Sequence, residues 1–315
     1  MQYRKPTAEE YDKKENENNA SIQQNLEKSL KETRDLQEEM KKLKEKLLQE
    51  KKTEWQDKKE IEKLMDRHEA LQKQMQQALE KFQENLQNQE EHSKPSEELQ
   101  EKQEKVEELM KDLQNKEMEE LMKKIEEMMK QLEKESAIDM MEQMNDKDQE
   151  LEKELDRMLE LFKQLQVEVE MQQAIEKLEK MAEKEDQLSK ESEAEQKPSE
   201  EMQKDQEELN KEFDQLQKDM KDLQEKNKEL EKPKDMEGAD EKMEKIDQDM
   251  QKSGEQLEQK QNKNASKSQK SASQRMKDMA QQMNAQMQQG EQEQMELDMA
   301  MLRQLLENLV TLSFD

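Results

Sequence analysis

Apolar side chains in this chain recur in steps of four and three. Ile22, Leu26, Ser29, Thr33, Leu36, Met40, Leu43 and Leu47 follow the alternation, as do Ile61, Leu64, His68, Leu71, Met75, Ala78 and Phe82. Such spacing keeps a narrow stripe on one side of an α-helix. Glu50, Glu54 and Asp57 would carry the stripe from one run to the next. A seam of carboxylates resists burial, so the pattern predicts a turn near 49–54. Thr53 and Gln56 stand at capping-box spacing and could start the second helix. The simplest packing is an antiparallel hairpin over 19–91, each arm about 50 Å long at ~1.5 Å per residue. Trp55, beside the turn, either staples the hairpin end or presents a contact site.

The next interruption is His92-Ser93-Lys94-Pro95-Ser96-Glu97-Glu98. Pro95 ends one helix, Ser96 suits an N-cap, and the glutamates suit the first turn of the next helix. Val106, Met110 and Leu113 are out of phase with Met118, Leu121, Ile125, Met128 and Leu132, which predicts a kink or short turn near Asn115. Residues 135–147, with Ala137, Ile138, Met140, Met141 and Met144, read as a short irregular helix, with Asn145 and Asp146 capping the next one. Leu151, Leu155, Met158, Phe162, Leu165 and Val169 restore the alternation, and the helix continues to about Leu188. After a polar stretch containing Pro198, another seam runs from Met202 through Gln206, Leu209, Phe213, Leu216, Met220, Leu223 and Asn227 to Leu230. Pro233 and Gly238 mark a linker, and Met243, Ile246, Met250 and Leu257 a shorter helix. Residues 259–274, rich in Gln, Lys, Ser and Asn, read as a frayed helix or linker. Ala272, Met276, Met279 and Met283 begin a Met-rich helix predicted to end near Gly290. The boundaries are thus a disordered 1–18, a hairpin over 19–91, helical coiled-coil segments over 92–188 and 189–262, and Met/Gln-rich helices over 263–315 with an apolar end.

One repeat stands out. Lys94-Pro95-Ser96-Glu97-Glu98 recurs as Lys197-Pro198-Ser199-Glu200-Glu201, and at the same spacing Val106, Met110 and Leu113 match Leu209, Phe213 and Leu216. Either a hairpin was duplicated, or Pro-Ser-Glu-Glu is simply a cheap way to start a helix.

Composition sharpens the picture. Of 315 residues, 29% are hydrophobic, 44% charged and 2% aromatic. An ordinary globular core needs more apolar mass. Low hydrophobicity with a net charge of −28 favours disorder, but a coiled coil needs only two apolar positions in seven. The 27 Met can fill a seam, and with 3 Gly and 4 Pro the chain is too poor in breakers for general disorder. Glu38/Lys42, Glu176/Lys180 and Glu241/Lys245 are among the pairs that place Glu four residues before Lys, each contributing roughly 0.2–0.5 kcal/mol to a helix. The fold class expected is all-α: long amphipathic helices in successive antiparallel hairpins or a coiled coil, extended rather than globular.

Candidate chemistry is sparse. With no cysteine, disulfides and thiolate ligands are excluded. The acidic balance disfavours nucleic acid and anionic membrane surfaces. No run of ~18 apolar residues exists to span a bilayer, and the N-terminus lacks the apolar stretch of a signal peptide. Carboxylates are too abundant to mark a catalytic pair, which needs a dry cleft to separate two pKa values, and three scattered glycines make no phosphate loop. His68, on a seam position, reads as a polar residue fixing register, or as a ligand or pH sensor; His92 falls in a loop and reads as solvated. Met140, Met141 and Met144, and Met276, Met279, Met283 and Met287, have spacings that suit a packed seam, an adaptable partner groove or soft Cu(I) ligation. No catalytic, cofactor-binding or metal residue is assigned, and the chain is expected not to be an enzyme.

Thr53-Glu54-Trp55-Gln56-Asp57-Lys58-Lys59, Glu154-Leu155-Asp156-Arg157-Met158-Leu159-Glu160-Leu161-Phe162-Lys163-Gln164-Leu165, Ala265-Ser266-Lys267-Ser268-Gln269-Lys270 and the stretch from Leu302 to Asp315 resemble the central coiled-coil region of a family of large, uncharacterised bacterial proteins. Its members are anchored in the membrane through N-terminal hydrophobic helices that this sequence lacks. The resemblance covers most of the chain, carries no site residues, and implies a soluble fragment of something longer. The apolar run Leu302, Leu305, Leu306, Leu309, Val310, Leu312 and Phe314 is then expected to be a sticky helix awaiting a partner, or else to dock on the Met276–Met287 helix with Gly290 as the turn. The expected role is a structural or scaffolding segment of an envelope-associated protein that meets protein partners or itself through helical seams. It takes no nucleic acid, small-molecule substrate or cofactor, and any tether to the membrane lies outside this chain. The alternative is an adaptor or holdase-like module that binds proteins through Met-rich faces.

Overall fold

With Gly and Pro so rare, little interrupts a helix once it has started, and the seam residues give each helix one face to bury. A computed structural model describes residues 8–49, 55–92, 95–113, 124 and 134–313. Among them are seven helices and no strand: α1 (Ala8–Gln49), α2 (Trp55–His92), α3 (Glu97–Asp112), α4 (Lys134–Glu193), α5 (Ser199–Lys228), α6 (Ala239–Glu258) and α7 (Asn262–Ser313). The all-α class read from the spacing is therefore the fold class of the protein. No helix among the described residues is long and apolar enough to cross a membrane. The chain divides into two compact units, one up to Gln166 and one from Val167.

In the first unit the seams of α1 and α2 are buried together: Ile22, Leu26, Leu36, Met40 and Leu47 from one, Leu64, Leu71, Met75 and Phe82 from the other. Polar contacts order the pairing along their length. Lys14 meets Glu84, and Asn18 donates to Asn85 at 2.8 Å. Arg67 reaches Glu32 and Glu39 at 2.5 and 2.6 Å, and Lys46 reaches Asp57 at 2.7 Å. These contacts run from the start of α1 with the end of α2 to the end of α1 with the start of α2. The first part of α4 packs on both. Arg34, Gln37 and Lys44 of α1 contact Glu152, the Asp148 carbonyl and Glu142, while Phe82 of α2 meets Phe162 edge-on at 6.2 Å. α3 lies against α2, with Gln83 donating to Glu107 and Gln103 to Gln89.

In the second unit the rest of α4 joins α5, α6 and α7 around one core containing Leu178, Phe213, Ile246 and Met276. Lys177 and Lys184 of α4 pair with Asp219 and Glu212 of α5 at 2.8 and 2.7 Å, and Arg275 of α7 with Asp249 of α6 at 2.9 Å. α6 and α7 approach each other closely. Ser268 and Ser271 of α7 add hydrogen bonds to Gln256 and Asp249 of α6 at 2.9 and 2.6 Å. The linker 229–238 is pinned by Asn227, whose amide bonds both the carbonyl and the N–H of Lys234 at 2.8 Å. Gly238 adopts φ +76° as the N-cap of α6, a left-handed conformation suited to glycine.

Several expectations are corrected. Residues 8–18 are helical rather than disordered, held by Lys14 with Glu84, Glu15 with Gln89 and Asn18 with Asn85. Residues 135–147 are no separate helix, and Asn145 and Asp146 cap nothing, because α4 runs unbroken for 60 residues. Within the polar stretch 259–274, residues 259–261 form the turn between α6 and α7, and the rest is not frayed but is the packed start of α7. Its buried face is built of Ser and Ala, which a search for large apolar residues passes over. Gly290 does not end the helix, since α7 continues to Ser313. The division at Gln166 falls at none of the predicted boundaries, because it lies inside α4, where no Gly or Pro marks it. Within each unit the packing is compact where the seam pattern suggested extension, as helices close over more than one neighbour. The turn near 49–54, Thr53 of the capping box and the slip near Asn115 lie outside the described residues.

The repeated Pro-Ser-Glu-Glu opens a helix both times. Ser96 caps α3, its hydroxyl accepting from the Leu99 N–H at 3.3 Å. In the second copy Pro198 is the N-cap residue, and the Ser199 hydroxyl instead donates to Asn262 at 2.9 Å. Burial also repeats: Leu99, Gln103, Val106 and Met110 in α3 match Met202, Gln206, Leu209 and Phe213 in α5. The preceding helices match too, with Leu71, Met75, Phe82 and Gln89 at the spacing of Ala174, Leu178, Glu185 and Ser192, all buried. Correspondence over two consecutive helices favours duplication over a borrowed helix start.

Candidate functional site

Polar residues at seam positions concentrate the chemistry of both units. His68 on α2 and Asp148 on α4 are buried, with Nε2 3.5 Å from Oδ2. That exceeds a good hydrogen bond, and neither His68 Nε2 nor either oxygen of Asp148 has a hydrogen-bond partner. Burial, helped by the charge of neighbouring Arg67, lowers the His68 imidazole to about 4. Burial pushes the Asp148 carboxyl up to about 8. Each ring or carboxyl is thus driven toward its neutral form. A cavity of about 40 Å³ adjoins His68, walled by Leu71, Met75, Leu113 and Leu151, with Lys147, Glu150 and Glu154 also on its lining. It has room for a water molecule or two, far below the volume of a substrate pocket.

A second buried carboxyl lies at the end of the same long seam. Asp57, in the first turn of α2, is fully buried against Lys46, whose ammonium is raised by its hydrogen bond to Asp57. The premise that seam carboxylates stay out of the core fails here. The Lys46 stem brings a cation to the buried oxygen, and the helix N-terminus favours the negative charge.

The second unit holds a broader polar layer. Glu185 on α4, Gln206 on α5 and Gln269 on α7 are fully buried. Gln206 Nε2 lies 3.1 and 3.3 Å from the two Glu185 oxygens and 3.1 Å from Asn210 Oδ1, and Gln269 Nε2 donates to Gln206 Oε1 at 3.0 Å. Burial pushes the Glu185 carboxyl up to about 8, opposed by the Gln206 amide. Nearby hydroxyls satisfy backbone acceptors: Ser189 donates to the Ser266 carbonyl at 2.9 Å, Ser273 to that of Ala182 at 2.7 Å, and Ser253 to that of Met250 at 2.8 Å.

Of the residues singled out in the sequence, His68 sits in a polar pair, and Met141, Met144, Met276, Met279 and Met283 are buried seam residues. His92 is the last residue of α2 rather than a loop residue, and Trp55 is the first. Among the described residues no group of three or more His, Cys, Asp or Glu is placed to hold a metal ion. Asp148 and Glu185 escape a reading of the sequence alone. Both stand in seam register, Asp148 between Met144 and Leu151, Glu185 between Met181 and Leu188, and a carboxylate in register is the signal that could have found them. Comparison with protein-family models gives no match, and searches of curated proteins and of solved structures give none.

Proposed function

We propose that this chain is a structural or scaffolding segment of a larger, envelope-associated bacterial protein, and that it does no catalysis. In this reading its helices pair as successive antiparallel hairpins through coiled-coil-like seams. The observation that carries it is that polar residues brought together in the cores are used to pair helices, while the cavity beside His68 admits only water. The ordered contacts from Lys14–Glu84 to Lys46–Asp57 support a first hairpin. Self-association or protein partners at the seams, and a tether to the membrane outside this chain, belong to the same proposal. The adaptor or holdase reading needs Met-rich faces open to clients, and the buried Met276, Met279 and Met283 weigh against it.

Crosslinking in native cells followed by purification of the chain tests the choice. A reproducible complex of fixed composition is expected. Recovery of many unrelated unfolded proteins would overturn the scaffold reading in favour of the holdase.

A further inference from the structure

Glu185 sits where four helices of the second unit meet, and its surroundings are unusual for a carboxyl. One amide, that of Gln206, serves both of its oxygens and Asn210 besides. An ionised carboxylate has about four acceptor positions to fill. The buried neighbours one turn away on α4 are Met181, Ala182, Leu188 and Ser189. Met202, Gln206 and Leu209 line the layer from α5, Met250, Ser253 and Leu257 from α6, and Ser266, Gln269, Ala272 and Ser273 from α7. None of these side chains ionises. The charged groups around the layer stay at its rim, none of them buried: Lys184, Asp186 and Lys190 on α4, Asp205 and Glu212 on α5, Asp249 and Glu255 on α6, and Lys270, Arg275 and Lys277 on α7. Lys270 and Lys277 act on Asp186, where they favour the ionised form, and not on Glu185.

The helices around this carboxyl are not tied equally. α4 holds α5 by ion pairs at Lys177–Asp219, Lys184–Glu212 and Lys226–Glu170. α6 holds α7 by Asp249–Arg275 and by close packing. α5 meets α6 by close packing as well. α4 meets α7 through the neutral hydrogen bonds of Ser189 and Ser273, with Lys270 and Lys277 acting on Asp186 at longer range. A charge forming at Glu185 must be hydrated, and the seam between α4 and α7 is a way in that crosses hydrogen bonds, with no direct ion pair among the described residues.

We propose that Glu185 is a proton-operated latch: protonated, it closes the second unit, and on losing its proton it opens the seam between α4 and α7. Opening uncovers the face of α7 that carries Ser266 and Ser273. The sign is set by linkage. Burial raises the carboxyl in the closed form from 4.5 to about 8. Closure is therefore fully favoured below the ordinary carboxyl range and lost as pH rises toward 8. With one proton taken up on closing, the opening constant climbs roughly tenfold per pH unit between those limits.

Hydrogen exchange of the full chain, corrected for intrinsic rates, tests this at α7 amides 265–288 between pH 5.5 and 8. Their protection should fall by up to about tenfold per pH unit in the native protein, and Glu185→Gln should flatten that dependence. A flat profile in the native chain, or an unchanged slope in Glu185→Gln, overturns the latch. Carbon-13 titration of the Glu185 carboxyl in the native chain needs no variant. A midpoint well above the ordinary glutamate value is expected, and a midpoint within the ordinary range sinks the proposal.

Discussion

The layer around His68 in the first unit and the layer around Glu185 in the second hold buried polar groups in opposite ways. In the first, His68 and Asp148 face each other across α2 and α4 too far apart to bond, with three of their atoms left without partners. In the second, Glu185, Gln206 and Gln269 form a bonded chain across three helices, and serines bond carbonyls around it. The difference shows what a mostly Met and Leu seam tolerates. An acid–base pair can be accommodated by discharging both members, whereas a lone acid needs amides to hold it. A buried polar group without partners costs stability, while a satisfied one fixes which helices meet.

The sharpest way to break the comparison is to make both layers apolar. Replacing His68 and Asp148 together by Leu removes groups that have no partners. The first unit should gain about 1–4 kcal/mol, the range for replacing buried ionisable pairs by packed apolar residues. Glu185→Leu instead leaves the Gln206 amide only Asn210 as acceptor and should cost the second unit about 1–3 kcal/mol. Unit-resolved hydrogen exchange under denaturant reads both. Equal signs for the two changes would mean that hydrogen bonding in the layers does not set their worth.

Acidity sharpens the comparison further. His68 is lowered on folding to about 4, so its contribution is present above the ordinary imidazole value and lost as pH falls toward 4. Asp148 is raised to about 8, so its contribution is present below the ordinary carboxyl value and lost as pH rises toward 8. The two slopes cancel where the windows overlap, so the first unit should hold level up to the ordinary imidazole value and weaken only above it, as pH rises toward 8. The second, with Glu185 unopposed by a histidine, should weaken from the ordinary carboxyl range upward. Exchange profiles of α1 and of α6 across pH 4–8 should show a plateau followed by a late decline for one and a decline that begins in the carboxyl range for the other.

The smallest effect expected separates the two copies of the repeat. Ser96→Ala removes a helix cap and should cost the first unit ~1 kcal/mol. Ser199→Ala removes a side-chain hydrogen bond to Asn262 and leaves the α5 start uncapped as before, so it should cost no more than ~1 kcal/mol. The measurement that tells them apart is fraying: exchange at the first amides of α3 should accelerate in the Ser96 variant, and those of α5 should stay unchanged in the Ser199 variant.

Helices are the legible part of the sequence. Seams such as Leu26, Leu36, Met40 and Leu47 need only be large and regularly spaced to be read, and those residues are buried. The start of α7 is not legible because its buried face is Ala and Ser, small enough for close approach but silent on a hydropathy scale. Neither is the continuity of α4, where adjacent Met and Asn residues imitate a break. The polar layers are half legible. His68 and Gln206 stand on the seams, but whether a polar seam residue faces a partner depends on a residue far along the chain. Asp148 lies opposite His68 only because α4 packs on α2, and Gln269 meets Gln206 only because α7 closes over α5.

The 60-residue α4 has a kinetic consequence. Starting a helix is the costly step, with a nucleation factor of order 10⁻³, whereas extending one adds a bond for each residue fixed. Synthesis delivers the first unit before the second, and domains fold in that order. Once α4 is anchored by Phe162 against Phe82, its later part grows from an existing end and needs no nucleus of its own. The first unit thus acts as a seed: Leu178, Glu185 and Leu188 are presented already in helical register when α5 emerges to pack against them.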